Sequence, residues 1–144
     1  MKELHAELAG EMSGHIFFKH RWYGFDDAIY AGARLLEIVA GGDKPLSAHL
    51  ATIPQRLSTT EIEFHCPDSR KFEVIRQMVA YFQKDLGLNV VTIDGARIEF
   101  DDGWGLIRAS NTSPKLVMRV EADNKKRLNE IEKLIRAKVN ELAG

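Results

Sequence analysis

A chain of 144 residues with a formal net charge of −1, 44% hydrophobic and 28% charged residues has the composition of a globular protein, sized for one domain or one domain and part of another. The balanced charge argues against broad electrostatic binding of nucleic acid or an acidic membrane, and the single cysteine, Cys66, excludes an internal disulfide framework and a multi-cysteine metal site. No apolar run approaches the roughly 20 residues of a membrane span and MKELHAELAGEM lacks a basic segment followed by an apolar core, so a reduced, cytoplasmic protein is expected.

Near the front, GHIFF reads as a short buried strand, and Gly10 and Gly14 bracket the loop before it. In GFDDAIYAGARLLEIVAGG, Asp26 is the predicted helix cap. Phe25, Ile29, Leu36 and Val39 fall near helical spacing, and Gly41-Gly42 stop the helix. The interval Asp43 to Ser58 has weak periodicity and two prolines, which predicts a linker. TTEIEF alternates as a strand. PDSRKFEVIRQMVAYFQKDLG reads as a helix with Asp68 as cap, Phe72, Ile75, Val79, Phe82 and Leu86 as apolar stripe, and Gly87 as stop. NVVTI predicts a strand, Asp94-Gly95 a hairpin turn, ARIEF the returning strand, DDG a second turn, and WGLIRAS and KLVMRVEA two more strands. A last helix is predicted from about Asn124 to Leu142, with Leu128, Ile131, Leu134, Ile135, Val139 and Leu142 on one side. Residues 59–144 therefore read as an α+β domain, an antiparallel sheet covered by two helices. Residues 1–45 are too few to bury a core and read as the tail of a preceding, incomplete domain, with 46–58 as linker or hinge.

Two loops carry candidate chemistry. In GLIRASNTSP, Arg108 ends a strand with a planar fork of donors suited to two oxygens of a phosphate or carboxylate. Ser110, Asn111, Thr112 and Ser113 add hydroxyl and amide donors, and a tight loop of small residues lets backbone N–H groups converge on an anion. The pattern suits holding a phosphate, since no histidine close in sequence activates a nucleophile. The same residues also make an ordinary polar turn. In GEMSGH, an extended backbone would point Glu11, Ser13 and His15 the same way, for sugar hydroxyls and, at His15, proton transfer; a glycine-bounded polar loop is the plainer alternative. His5, His20, His49 and His65 lack metal-ligand spacing, Asp101-Asp102 reads as a turn, and Cys66 as a packing residue. No metal site is expected in the chain.

GEMSGHIFFKHRWYGFDDAIYAGARLLEI, followed by FDDGWGLIRASNTSPKLVMRVEA, resembles the C-terminal part of bacterial phosphomannomutase/phosphoglucomutase, of the α-D-phosphohexomutase family. Met12 and RASNTSP favour this branch over the phosphoglucosamine mutases. The resemblance implies a chain comprising the remnant of an incomplete α/β domain, the end of the sugar-binding third domain, and a TATA-binding-protein-like fourth domain. It assigns Glu11 and Ser13 to sugar hydroxyls, His15 to a place near the reacting centre, and Arg108, Ser110, Asn111, Thr112 and Ser113 to the phosphate that is not transferred. The whole enzyme it implies interconverts mannose or glucose 1- and 6-phosphates through a phosphoserine and a bisphosphorylated sugar. Its magnesium sits on an aspartate-rich loop with no counterpart in these 144 residues. The chain alone is then expected to be inactive and to lack nucleic-acid or membrane partners. The competing class is a free-standing α+β module that binds a phosphorylated ligand or partner.

Overall fold

A computed structural model describes residues 1, 5–11 and 13–144. They divide into two compact units, Met1–Pro54 and Gln55–Gly144. Among the described residues no helix is long and apolar enough to cross a membrane.

The first unit opens with an antiparallel hairpin of β1 (Leu8–Gly10) and β2 (Ile16–Phe18), in register Leu8 with Phe18 and Gly10 with Ile16. GHIFF thus forms the expected strand but is not buried. Ile16 is exposed and both phenylalanines are half-buried, because a two-stranded ribbon has little to cover it. Helix α1 (Ala28–Ala40) follows, and its cap is Asp27 rather than Asp26: the Asp27 carboxylate accepts the Tyr30 N–H at 2.9 Å. Asp26 is engaged elsewhere, as described below. Stacking holds α1 to the segment before it, with Trp22 lying over Tyr30 at 4.3 Å and the Arg34 guanidinium 5.1 Å from the Phe18 ring centre. No residue of α1 is buried, so its apolar side chains meet solvent rather than a core. The interval Asp43 to Ser58 contains a short helix α2 (Leu46–Leu50) and a two-residue strand β3 (Leu57–Ser58).

The second unit is a six-stranded antiparallel sheet with two helices on one face. Beyond β3 it comprises β4 (Ile62–His65), α3 (Asp68–Ala80), β5 (Val90–Val91), β6 (Ala96–Phe100), β7 (Gly103–Ala109), β8 (Lys115–Ala122) and α4 (Lys125–Ala143). The strand order is β3-β8-β7-β6-β5, with β4 also on β8. Strands β3 and β4 share one edge, because Ser58 pairs with Glu121 and Ile62 with Met118. Three residues there oppose two, a bulge. Thr59 Oγ1 repairs the ladder by accepting the Val120 N–H at 3.1 Å.

Burial alternates along β7. Gly103, Gly105, Ile107 and Ala109 are buried, while Trp104, Leu106 and Arg108 lie on the other face, partly exposed. The helix-facing side joins Leu116, Met118 and Val120 of β8 to Leu128, Ile131, Ile135 and Val139 of α4 in one core. The stripe expected for α3 is rotated. Lys71, Val74 and Met78 are its buried residues, and Phe82 continues them in the π turn (Tyr81–Asp85) that ends the helix. Phe72 and Leu86 are exposed. Asp68 is the first helical residue rather than the cap, a place taken by Pro67. Its extended φ and ψ and its missing N–H suit a helix entry.

Candidate phosphate and sugar loops

Strand β7 delivers Arg108 to one end of the sheet on the face away from the helices, and the chain then turns through Ser110–Pro114 into β8. The turn is fixed from inside. The Ser110 N–H donates to the Lys115 carbonyl at 3.0 Å and the Lys115 N–H to the Ser113 carbonyl at 2.8 Å. Lys71, 4% exposed in the first turn of α3, reaches under the loop. Its Nζ donates to the Ser110 carbonyl at 2.6 Å, to the Ser113 carbonyl at 3.3 Å and to Asp68 Oδ1 at 2.6 Å. The Pro114 carbonyl accepts the Cys66 N–H at 3.0 Å. Three carbonyls of a five-residue turn are thereby drawn toward the start of α3.

The donors of the same loop are left over. Among the described residues, the N–H groups of Asn111 and Ser113 have no acceptor, and the side chains of Asn111 and Thr112 are exposed. The Thr112 N–H donates to Ser110 Oγ at 3.3 Å, which leaves the hydroxyl proton of the buried Ser110 free to donate. A loop with three carbonyls tied down and the Asn111 and Ser113 N–H groups unspent has the electrostatic character of an anion nest. The Arg108 guanidinium is about one-third exposed and lies 3.9 Å from Asp94 Oδ2, too long for a tight pair. Gly95, at φ +86°, lets the Asp94-Gly95 turn rest against this strand: a Cβ there would stand 2.8 Å from Arg108 Cα.

The front loop is a hairpin turn, not the extended run that the alternation of Glu11, Ser13 and His15 presupposes. The Glu11 N–H donates to the His15 carbonyl at 2.9 Å and the Gly14 N–H to the Glu11 carbonyl at 3.0 Å, with Gly14 at φ +91°. The turn still brings Ser13 Oγ to Glu11 Oε2, at 3.1 Å. His15 points its Nδ1 to Asp26 Oδ2 at 2.6 Å, while Asp26 Oδ1 accepts the Ile16 N–H at 3.3 Å. The Asp26 hydrogen bond and then its charge hold the imidazole pKa above the ordinary 6.5 against a lesser cost of lost hydration, and Glu11 makes the smallest contribution to the rise. With Nδ1 engaged, Nε2 is the nitrogen left to exchange a proton.

Burial pushes the Cys66 thiol pKa up, which suits packing rather than nucleophilic attack. Among the described residues no three His, Cys, Asp or Glu side chains converge where a metal ion could sit. The described residues do not fit a magnesium site. Sequence reasoning missed Lys71, Asp94 and the pairing of Asp26 with His15. Only for Asp26 was a local signal available, as the first of two adjacent aspartates of which one caps the helix.

The chain matches two family models: residues 1–57 that of "Phosphoglucomutase/phosphomannomutase, alpha/beta/alpha domain III", and residues 61–138 that of "Phosphoglucomutase/phosphomannomutase, C-terminal domain". A phosphoglucomutase of Neisseria gonorrhoeae is 49% identical over 138 residues, 95% of this chain and 30% of the relative. A phosphomannomutase/phosphoglucomutase of Pseudomonas aeruginosa is 46% identical over 136 residues, 94% and 29% of the two chains. A crystal structure of a phosphoglucomutase/phosphomannomutase family protein from Burkholderia thailandensis matches with a TM-score of 0.78 at 45% identity, over 98% of this chain and 29% of that one. The chain spans about 30% of the length of the curated relatives it matches. The C-terminal domain model falls on the sheet-and-two-helix unit, in keeping with the TATA-binding-protein-like α+β fold expected there.

Proposed function

Because the chain belongs to the phosphoglucomutase/phosphomannomutase family, we propose that it supplies the substrate-positioning part of a phosphohexomutase. In this reading Arg108, Ser110, Asn111, Thr112 and Ser113 hold the phosphate of a hexose phosphate that is not being transferred. Glu11 and Ser13 accept and donate hydrogen bonds to sugar hydroxyls, and His15 moves a proton through Nε2. The observation that carries the reading is the loop after β7, three of whose carbonyls are held by Lys71 and the Cys66 N–H while the Asn111 and Ser113 N–H groups and Arg108 remain for an anion.

Each part has a definable task. Arg108 offers two parallel N–H groups to two phosphate oxygens. The Ser110, Thr112 and Ser113 hydroxyls and the free N–H groups take the remaining lone pairs. A dianionic phosphate held at one end of the sugar fixes where the other end lies, which is a positional contribution to catalysis. The Glu11 carboxylate accepts from a sugar hydroxyl and orients Ser13, already hydrogen-bonded to it. Neither loop holds an activated nucleophile, so phosphoryl transfer belongs to groups outside these residues. The purified chain is expected to give no turnover of glucose or mannose 1-phosphate.

The test is a titration of isotope-labelled chain with glucose 6-phosphate and glucose 1-phosphate, read by amide NMR. Amide shifts are expected from Arg108 to Ser113 with a Kd of about 1 mM, or about −4 kcal/mol, and Arg108→Ala should abolish them. Shifts confined to the first 40 residues, or an unchanged Kd in Arg108→Ala, would overturn the reading.

A further inference from the structure

We infer that Lys71 is a positioning residue for the anion loop: its buried ammonium holds the Ser110 and Ser113 carbonyls, which fixes both ends of the loop and turns the Asn111 N–H outward. The inference rests on the reading of Arg108 to Ser113 as a phosphate clamp and extends it to a residue that makes no contact with the ligand.

A lysine that is 4% exposed has given up its water, and its three ammonium protons must find acceptors. Here all three do: Asp68 Oδ1 at 2.6 Å, the Ser110 carbonyl at 2.6 Å and the Ser113 carbonyl at 3.3 Å. A purely electrostatic partner for Asp68 would need only one of these contacts and no burial. The two carbonyls stand three residues apart in the loop, so one cation fixes the loop at both ends. A peptide group points its N–H opposite to its C=O. The peptides whose carbonyls belong to Ser110 and Ser113 carry the N–H groups of Asn111 and Pro114's ring nitrogen. Holding the Ser110 carbonyl on Lys71 therefore aims the Asn111 N–H away from the core.

The Ser113 grip performs a second task. Pro114 has no N–H to donate, so the Ser113 carbonyl fixes the turn without losing a donor. The Ser113 N–H itself is left without an acceptor among the described residues. Charge matters as well. Asp68 lies in the first turn of α3, on the Lys71 side of the loop, and its carboxylate is held on Lys71. With Lys71 removed, two carbonyl dipoles and one carboxylate near the loop would lose their counter-ion, each unfavourable to a bound anion.

The experiment titrates inorganic phosphate into the isotope-labelled 144-residue chain, wild type, Lys71→Met and Arg108→Ala, with amide shifts as readout. In wild type the Asn111 and Ser113 amides are expected to shift. In Lys71→Met the amides of β7, β8 and α4 should keep their positions while phosphate affinity falls about tenfold, the loss expected when a preorganised charge-assisted contact goes. A folded Lys71→Met chain that binds phosphate as wild type does, with binding lost in Arg108→Ala, overturns the role of Lys71 and leaves the clamp standing. Absence of loop shifts in wild type overturns the clamp itself, and this inference with it. Should Lys71→Met fail to fold, the Lys71 ammonium signal of wild type decides. It is expected to move along the phosphate titration with the same midpoint as the Asn111 amide, and an ammonium signal that does not move overturns the inference.

Discussion

His15 and Asp26 are 11 residues apart and meet at 2.6 Å, because the segment before α1 returns antiparallel beside β2, with Asp26 bridged to Phe17. The hydrogen bond to Asp26 favours the imidazolium and raises its pKa from 6.5. Its contribution to stability is therefore full below pH 6.5, the unfolded value, and is lost as pH rises through the higher folded value. Both side chains are about half exposed, so the effect on stability is small and the titration itself is the better readout. An NMR pH titration of His15 is expected to give a midpoint above 6.5 that falls toward 6.5 in Asp26→Asn; equal midpoints would show that Asp26 does not set it. Asp94 supports a second residue-scale expectation. Its carboxylate lies 3.9 Å from Arg108 and competes for the guanidinium with any external anion. Asp94→Asn should tighten phosphate binding by about two- to fivefold, the worth of an exposed pair, and weaker binding would show that Asp94 holds Arg108 in place. The contiguous donors of the candidate phosphate loop were legible in the sequence because a strand end and a polar loop adjoin. Lys71 was not, since its partners are main-chain carbonyls 39 and 42 residues away and no side-chain pattern records them.

Helix α4 approaches β7 closely because Gly103 and Gly105 face it. A Cβ on Gly103 would lie 2.5 Å from the Glu121 carbonyl, 2.9 Å from Ile131 Cδ1 and 3.0 Å from Ala122 Cβ, and one on Gly105 would collide with Ile135 Cδ1. The glycines of FDDGWG thus serve helix-on-sheet packing as much as the turn. Gly103→Ala meets backbone as well as side chain and is expected to cost about 1–3 kcal/mol of unfolding free energy, measured by urea denaturation. Gly105→Ala meets chiefly the flexible end of Ile135 and should cost less; the reverse order would show that β7 yields more readily than the isoleucine. The same elements show what periodicity can and cannot supply. Strands β6 and β8 have the bounds read from ARIEF and KLVMRVEA, since turns with strong chemistry flank them. The buried side of α4 follows its apolar spacing. In α3 the spacing misled, because a lysine occupies the buried stripe and a phenylalanine the exposed one. A hydrophobicity pattern assigns both to the wrong side, and the lysine is there for its hydrogen bonds.

At the scale of the whole chain the two units differ in what stabilises them. Every buried hydrophobic residue among the described ones lies in the second unit, from Cys66 onward. The first unit is held by a hairpin, the Asp27 cap, ring stacking and the ion pairs of Glu37 with Arg21 and Arg34, while Ile29 and Leu36 remain 88% and 68% exposed. Surface ion pairs of this kind contribute about 0–1 kcal/mol each, and an isolated helix of this length is marginal in water without tertiary packing. Opening α1 therefore forfeits little buried apolar area, whereas opening β7, β8 or α4 exposes the core. Native-state hydrogen exchange of the 144-residue chain should then show α1 amides exchanging through local opening, insensitive to low urea. Central amides of β7 and β8 should exchange only through global unfolding of the second unit. The separation has a functional corollary: Arg108→Ala or a phosphate titration should alter exchange in the loop after β7 without changing protection in α1. Protection of α1 equal to that of β7 would mean that its exposed apolar face is covered in solution, and the dependence of that protection on protein concentration would tell whether a second copy covers it.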